Sequence, residues 1–525
     1  MTNDPEQNPA EASSSDAKLP RRDERRLLSR AERRVKRLLV RPSLVAELAW
    51  RRTLSIGTLV RRPFQSRPVV YFVLATVLAA ALALYLLSTP IPQEAAFMAG
   101  IFVMAALLWT TEALPLFATA LLVMGLEIIL LANPGEWGGL GFEAAPSPDF
   151  RVFLAPLADP IIILFLGGFL LARASVKEGV DRALASIILR LFRGQPFFVM
   201  LGLMIATATF SMWMSNTAAT AMMITLVAPM LTQVPAGDPM RKALILAVPF
   251  AANIGGMGTP ISSPPNAVAV GFLSTAGYEV SFLEWMLIAV PLAAGLLVIA
   301  WLLLWRLYPS TSEDLTLEAQ TAELDGRGLF VLAVLVLTVG LWLTDAWHGL
   351  PVAVVALVPA IAFTATGLLG QSDIDTLEWN ILILIAGGLA LGVGMQRTGL
   401  DQIIVDMIPA TGPFVLAGMV GGTLLISTFM SNTAAANLIL PVAVSLAVGV
   451  DVAAAPGAMQ MAISIALIAS LSMSLPVSTP PNAIAYAGGQ LETRDFMVAG
   501  GLLGLLGLIL IIFLGGPIMG FWLGI

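Results

Sequence analysis

Two short stretches decide how this chain is read: Ser211-Met-Trp-Met-Ser215-Asn216-Thr217 and Ser427-Thr-Phe-Met-Ser431-Asn432-Thr433. They share the pattern Ser-x-x-x-Ser-Asn-Thr and lie 216 residues apart. A second pair, Ser263-Pro264-Pro265-Asn266-Ala267 and Thr479-Pro480-Pro481-Asn482-Ala483, repeats at the same spacing. Upstream, Gly167-Gly168 with Gly179 and Asp181 returns as Gly387-Gly388 with Gly399 and Asp401, an offset of 220. Two motifs sharing one offset mark an internal duplication.

The motifs interrupt apolar runs. Of the 525 residues, 58% are hydrophobic and 12% charged, too little polar surface for a soluble chain of this length. Runs near 20 residues recur from Val69–Ser88 onward, each long enough to cross a hydrocarbon core as a helix. Spans are predicted near 69–88, 95–111, 113–132, 158–173, 282–307, 327–344, 350–370, 379–396 and 497–524. Two more, 241–276 and 457–490, are broken at their proline motifs. An amphipathic stretch covers 181–193, and 197–233 and 412–449 are each interrupted at Ser-Asn-Thr. The expected fold is an all-α membrane protein with about eleven crossings and two re-entrant hairpins.

Charge orients this map. Residues 1–68 hold 16 of the 28 Lys and Arg residues, so the N-terminus is expected in the cytoplasm. Reading 197–233 and 412–449 as hairpins places Arg173, Lys177, Arg182, Arg190, Arg193, Arg241, Lys242, Arg306, Arg327 and Arg494 on the cytoplasmic side, with only Arg151 and Arg397 outside. Five crossings then separate the hairpins, so the second copy is inverted relative to the first. Inverted repeats with interrupted helices at matching positions are the sequence mark of a secondary transporter.

The chain therefore divides into a basic cytoplasmic extension (1–68), a first repeat (69–310), a cytoplasmic linker (311–326) and a second, inverted repeat (327–525). Within the extension, Leu27, Leu28, Val35, Leu38 and Leu39 share a helical face among arginines, which suits either an anionic membrane surface or a solvated orienting tail. Residues 1–16 read as disordered. The extension is no signal peptide, because its first apolar run is of full spanning length.

A chain reversal inside hydrocarbon needs its backbone groups satisfied, and Ser, Asn and Thr are the residues that cap a helix start. Each Ser-Asn-Thr tip thus presents a helix N-terminus, with its partial positive charge, to the membrane interior. Ser263-Pro264 and Thr479-Pro480 repeat the signal, a hydroxyl residue before a proline at the first helical position. The run from Asn253 to Pro260 is too rich in glycine for a comfortable helix. Four helix N-termini converging on one space suit an anion. Segments 211–222, 251–270, 427–437 and 472–487 contain no Asp, Glu, Lys, Arg or His. Their hydroxyls, amide carbonyls and unwound main chain suit a small hard cation beside that anion, and sodium fits better than a proton.

Without cysteine, and with one histidine (His348) in a short loop, neither a nucleophile with its base nor a metal cluster is available, which argues against an enzyme. Glu112, in Trp109-Thr-Thr-Glu-Ala-Leu-Pro115, reads as structural. An ion channel would use similar polar tips but would not saturate with substrate.

These residues resemble the divalent anion:sodium symporter family of dicarboxylate, citrate and sulfate carriers. The likeness covers roughly 69–525 and rests on the two Ser-Asn-Thr tips, the two Pro-Pro-Asn-Ala segments, Asn253–Thr259 and Trp109–Pro115. It implies a homodimer in lipid, each subunit moving its transport part like an elevator against a scaffold. It places a first sodium at Ser211, Ser215, Asn216 and the backbone around Ser262. A second falls at Ser427, Asn432 and the backbone around Met430 and Ser478. Substrate carboxylates would meet Asn216, Thr217, Ser263 and Pro264 on one side, and Asn432, Thr433, Thr479 and Pro480 on the other. The chain departs from the family in carrying Ser262-Ser263 where Gly-Thr is common, and in lacking the glycine run in its second half. Identical tips in both halves favour a roughly symmetric C4-dicarboxylate such as succinate, malate or fumarate, carried across the inner (plasma) membrane. Exchange of dicarboxylates, and carriage of sulfate or citrate, are the neighbouring readings.

Overall fold

The computed structural model describes residues 67–132, 148–192, 194–311, 324–407, 414–449 and 457–523. The basic extension with its leucine face, Arg193 and most of the 311–326 linker lie outside the described residues. Among the described residues every regular element is a helix.

The first half contains α1 (Arg67–Leu86), α2 (Gln93–Thr111), α3 (Leu116–Glu127), α4 (Pro160–Lys177) and α5 (Val180–Leu191). It continues through α6 (Pro196–Ser211), α7 (Asn216–Gln233), α8 (Met240–Gly255), α9 (Pro264–Thr275) and α10 (Phe282–Leu307). The second half contains α11 (Gly326–Leu343), α12 (Leu357–Ala365), α13 (Trp379–Thr398), α14 (Leu400–Met407) and α15 (Phe414–Phe429). It closes with α16 (Asn432–Gly449), α17 (Ala458–Ser470), α18 (Pro480–Ala487) and α19 (Thr493–Leu523).

Local chemistry explains the boundaries. Asp159 accepts from the Ile161 N–H, and Pro160 starts α4 where no N–H is required. Ser281 and Glu284 form a reciprocal capping box at the start of α10. Glu112 closes α2 in the left-handed region (φ 48°), and Pro115 precedes α3. Within that corner Trp109 donates from Nε1 to the Leu116 carbonyl at 3.1 Å, so the Trp-Thr-Thr-Glu-Ala-Leu-Pro stretch is a built turn. His348 is likewise a turn staple: Nε2 lies 2.8 Å from the Leu341 carbonyl, and Nδ1 accepts from Leu350 N–H at 3.0 Å.

Among the described residues seven helices, counting the extension of α4 back to Arg151, are individually long and apolar enough to cross a bilayer. The remaining apolar helices are shorter, so eleven crossings require pairing helices across their breaks. The apolar faces of α1 and α19, including Val70, Leu74, Leu505 and Phe513, point outward, as lipid-facing helices do. By contrast α8 is buried on all sides from Ala243 to Gly255 and α17 from Met461 to Ser470, the pattern of helices at the centre of the protein.

One packing pattern recurs in the two halves. Helices α6 and α7 pair and close on α8, as α15 and α16 pair and close on α17. Each helix after a break then packs chiefly on the opposite half: α18 against α7 and α8, α9 against α16 and α17. The glycine pairs bring further helices close. A Cβ at Gly167 would strike the Ala356 carbonyl, and one at Gly387 would strike Ala120, so α4 and α13 each meet a neighbour at backbone distance.

Candidate functional site

The site forms where two hairpin tips meet two unwound helices. In the first half α6 ends at Ser211, and α7 restarts at Asn216 with Ser215 as its cap, whose Oγ accepts from the Ala218 N–H at 3.3 Å. Ser211 Oγ lies 2.6 Å from Asn216 Oδ1 and 2.7 Å from the Ala252 carbonyl, tying the tip to α8. Gly256, the first residue after α8, lies against the Asn216 amide so closely that a Cβ there would collide with it. The break is held by Ser262, whose Oγ lies 2.7 Å from both the Gly256 and Thr259 carbonyls, and by Asn266, whose Nδ2 donates to the same two carbonyls at 2.9 and 2.8 Å.

The second half repeats this network. Ser427 Oγ lies 2.9 Å from Asn432 Oδ1 and 3.3 Å from the Ala469 carbonyl. Asn482 Nδ2 donates to the carbonyls of Met473 and Leu475 at 2.9 and 3.0 Å, and Ser478 Oγ accepts from Leu475 N–H at 3.0 Å. Ser478 Oγ also reaches the Thr428 carbonyl at 3.4 Å. The second break is one residue shorter, since Asn253 corresponds to Ser470 but Thr259 to Leu475.

The halves are joined at their proline-started helices. Asn253 Nδ2 donates to Thr479 Oγ1 at 3.2 Å and to Asn482 Oδ1 at 3.4 Å. At the matching place Ser470 Oγ lies 3.5 Å from Ser263 Oγ. Thr479 caps α18 by accepting from the Asn482 N–H at 3.2 Å. Ser263 occupies the equivalent cap position of α9 with extended backbone, but its side chain makes no capping bond and turns to Ser470 instead. Pro264 and Pro480 take the first helical positions, as the motifs predict.

The structure thus gathers Ser211, Ser215, Asn216, Ser262 and Ser263 around one break, and Ser427, Asn432, Ser478 and Thr479 around the other. Thr217 and Thr433 follow directly on the two tips, in the first turns of α7 and α16. Met430 precedes the second tip, with its sulfur 3.8 Å from Thr110 Oγ1 and its own N–H bonded to Ile426 O. The donor set fits a small hard cation. It is all oxygen, it lacks ammonium or guanidinium groups, and Asn266 Oδ1 is a buried acceptor with no hydrogen-bond partner.

One residue here escapes motif reading. Glu378, immediately before α13, places Oε1 3.2 Å from Ser215 Oγ, so a carboxylate from 163 positions away reaches the first tip. A lone acid before a tryptophan carries no pattern that would have flagged it.

Comparison with known proteins agrees with this architecture. The sequence profile described as "Citrate transporter" matches residues 105–466 and 341–521. An uncharacterized transporter of Haemophilus influenzae is 31% identical over 471 residues, covering 84% of this chain and 95% of its own length. An uncharacterized transporter of Schizosaccharomyces pombe is 31% identical over 438 residues, covering 80% of this chain but 49% of its own, so this chain spans about half of that relative. The sodium-dependent dicarboxylate transporter SdcS of Staphylococcus aureus (strain USA300) is 29% identical over 512 residues, 89% of this chain and 94% of its own. Among solved structures, the YdaH transporter of Alcanivorax borkumensis aligns with a TM-score of 0.53 at 14% identity, over 79% of this chain and 98% of that one. MtrF of Neisseria gonorrhoeae aligns with a TM-score of 0.50 at 12% identity, over 78% and 96%. At these identities the two structures speak for the fold alone.

Proposed function

Because this chain belongs to the citrate transporter family and is a membrane transporter, we propose that it carries small dianions, C4-dicarboxylates foremost, coupled to sodium. The observation that carries this reading is the paired site itself. Two helix-capped tips and two broken helices repeat one hydrogen-bond network and join through Asn253–Thr479 and Ser263–Ser470. The name of the staphylococcal relative supports the same coupling ion and substrate class.

The chemistry follows from the parts. Helix N-termini at α7, α9, α16 and α18 offer backbone donors and partial positive charge to two carboxylates. Asn216, Thr217 and Ser263 receive one, and Asn432, Thr433 and Thr479 the other. No arginine clamps the dianion within these segments, so cotransported sodium supplies the compensating charge, held by hydroxyls, asparagine carbonyls and unwound backbone. Alternating access is an elevator movement of the hairpins and broken helices against the rest, in a homodimer within the plasma membrane.

The ion pairs outside the apolar spans support the topology. Asp373, between α12 and α13, binds Arg173 Nη2 at 2.9 Å and Lys177 Nζ at 2.6 Å at the end of α4. Asp495, at the start of α19, binds Lys242 Nζ at 2.9 Å at the start of α8. Thr311 N–H donates to Asp238 Oδ2 at 3.0 Å. All three contacts join segments that the inverted-repeat reading places in the cytoplasm.

The test is uptake of labelled succinate into proteoliposomes under an inward sodium gradient, with potassium as control. Sodium-dependent, saturable uptake competed by malate or fumarate but not by sulfate is the expected result. Uptake that ignores sodium but requires internal dicarboxylate overturns symport in favour of exchange, and absence of succinate uptake moves the substrate to sulfate or citrate.

A further inference from the structure

The first tip carries more acceptors than its surroundings can satisfy. Glu378 Oε1 takes the hydroxyl of Ser215 at 3.2 Å, while Oε2 is buried without a hydrogen-bond partner. Among the described residues no lysine, arginine or histidine forms an ion pair with it. Asn266 Oδ1, fully buried in the same half, is also without a donor. The orientation of that amide is settled, because its nitrogen already serves two carbonyls.

At the matched motif positions the surplus belongs to the first half; on α16 of the second half the unpartnered acceptor is a neutral amide, Asn437 Oδ1. In the second half the matching Asn482 Oδ1 accepts from Asn253, but Ser470 stands at the place corresponding to Asn253 and is not bonded to Asn266. The acid at the matching helix start, Asp159 before α4, is engaged as a cap by the Ile161 N–H, whereas Glu378 makes no capping bond to α13. A buried carboxylate without a partner is costly, and a bound cation removes that cost. Ser215 hydroxyl donates to Glu378 and accepts from Ala218 N–H, which leaves one lone pair for a cation.

We infer that Glu378 is a cation ligand of the first hairpin tip, its carboxylate holding a sodium ion beside Ser215. This rests on the sodium-coupled reading above and adds to it a charged ligand contributed by an element outside both motifs. It makes the two tips unequal: the first binds its cation through a full negative charge, the second through neutral oxygens alone.

The test uses the purified full chain and sodium chloride as probe, with potassium chloride and choline chloride as controls. Thermal unfolding in detergent and succinate uptake in proteoliposomes are each followed as functions of sodium concentration. Glu378→Gln is expected to raise the half-saturating sodium concentration about tenfold or more, while the half-saturating succinate concentration at saturating sodium stays near that of the wild type. Should Glu378→Gln fail to yield monodisperse protein, Glu378→Asp carries the test, and its withdrawn carboxylate should raise the sodium requirement several-fold. A variant that saturates with sodium as the wild type does, or that alters only the pH profile of uptake, overturns the assignment. A wild-type protein indifferent to sodium in both assays overturns the assignment together with the symport reading.

Discussion

Asn253 on α8 donates from Nδ2 to the Oγ1 of Thr479, the residue that caps α18, across 3.2 Å. The bond joins one half's broken helix to the other's, and its counterpart is the longer Ser470–Ser263 contact of 3.5 Å. The same Asn253 nitrogen also serves Asn482 Oδ1. Removing the two side chains should therefore cost different amounts. Asn253→Ala leaves Asn482 Oδ1 buried without a donor, a loss of about 1–3 kcal/mol, whereas Ser470→Ala removes a contact at the limit of hydrogen-bond length and should cost about 1 kcal/mol or less. Thermal unfolding of the two variants in the same detergent measures the difference. Equal losses would count against a directional Asn253 link.

Asn216 and Asn432 each accept from the serine five residues before them. Both stand at the first position of the helix that restarts after the tip. Asn216→Ala and Asn432→Ala should each abolish succinate uptake while the protein elutes and melts as the wild type does. Gly256→Ala should reproduce the Asn216 phenotype without touching that residue, because the added Cβ enters the space of the Asn216 amide. Normal transport by any of the three would remove the proposed role of that tip, and misfolding would favour helix cementing instead.

Asp373 gives a pH dependence with a definite sign. Burial alone would raise its carboxyl, but the Lys177 ammonium, the Gly370 N–H and the Arg173 guanidinium outweigh it and hold the group below the usual carboxylate value. A depressed folded value means that the stabilisation is fully present above the unfolded carboxylate value near ~4 and is lost as pH falls through the lower folded one. Asp373→Asn should therefore lower stability by about 1–2 kcal/mol at pH 7 and narrow its gap to the wild type below about pH 4. Both cations are more than a third exposed, so the difference should shrink in high salt. Melting curves at several pH values and two salt concentrations check each part.

Much of this architecture is legible in the chain because polar residues are conspicuous in apolar surroundings. Ser215-Asn216-Thr217 and Ser263-Pro264 stand out inside hydrophobic runs, and their repetition places the breaks almost to the residue. Pairing across the halves is another matter. Nothing in a one-dimensional pattern says that Asn253 meets Thr479 rather than Ser263, since that depends on how α18 packs against α8. Glu378 is harder still: its neighbours Leu377 and Trp379 mark only the start of a span, and its meaning arises when α13 brings it to Ser215. The Ser263 cap illustrates a different limit, because the motif predicts backbone position correctly while the hydroxyl is taken by Ser470.

The absence of cysteine makes the inverted topology directly testable, because single thiols can be introduced without background labelling. Gln371 and Thr493 are exposed residues beside the Asp373 and Asp495 ion pairs, on the side assigned to the cytoplasm. Trp347, exposed between α11 and α12, and Gln402, exposed on α14, are assigned by the same proposal to the opposite side. Gln371→Cys and Thr493→Cys should react with a membrane-impermeant maleimide only in inside-out vesicles, and Trp347→Cys and Gln402→Cys only in intact cells. Because α13 alone separates Gln371 from Gln402, labelling of both from one side would place the second hairpin on the same face as the first and overturn the inversion of the repeats.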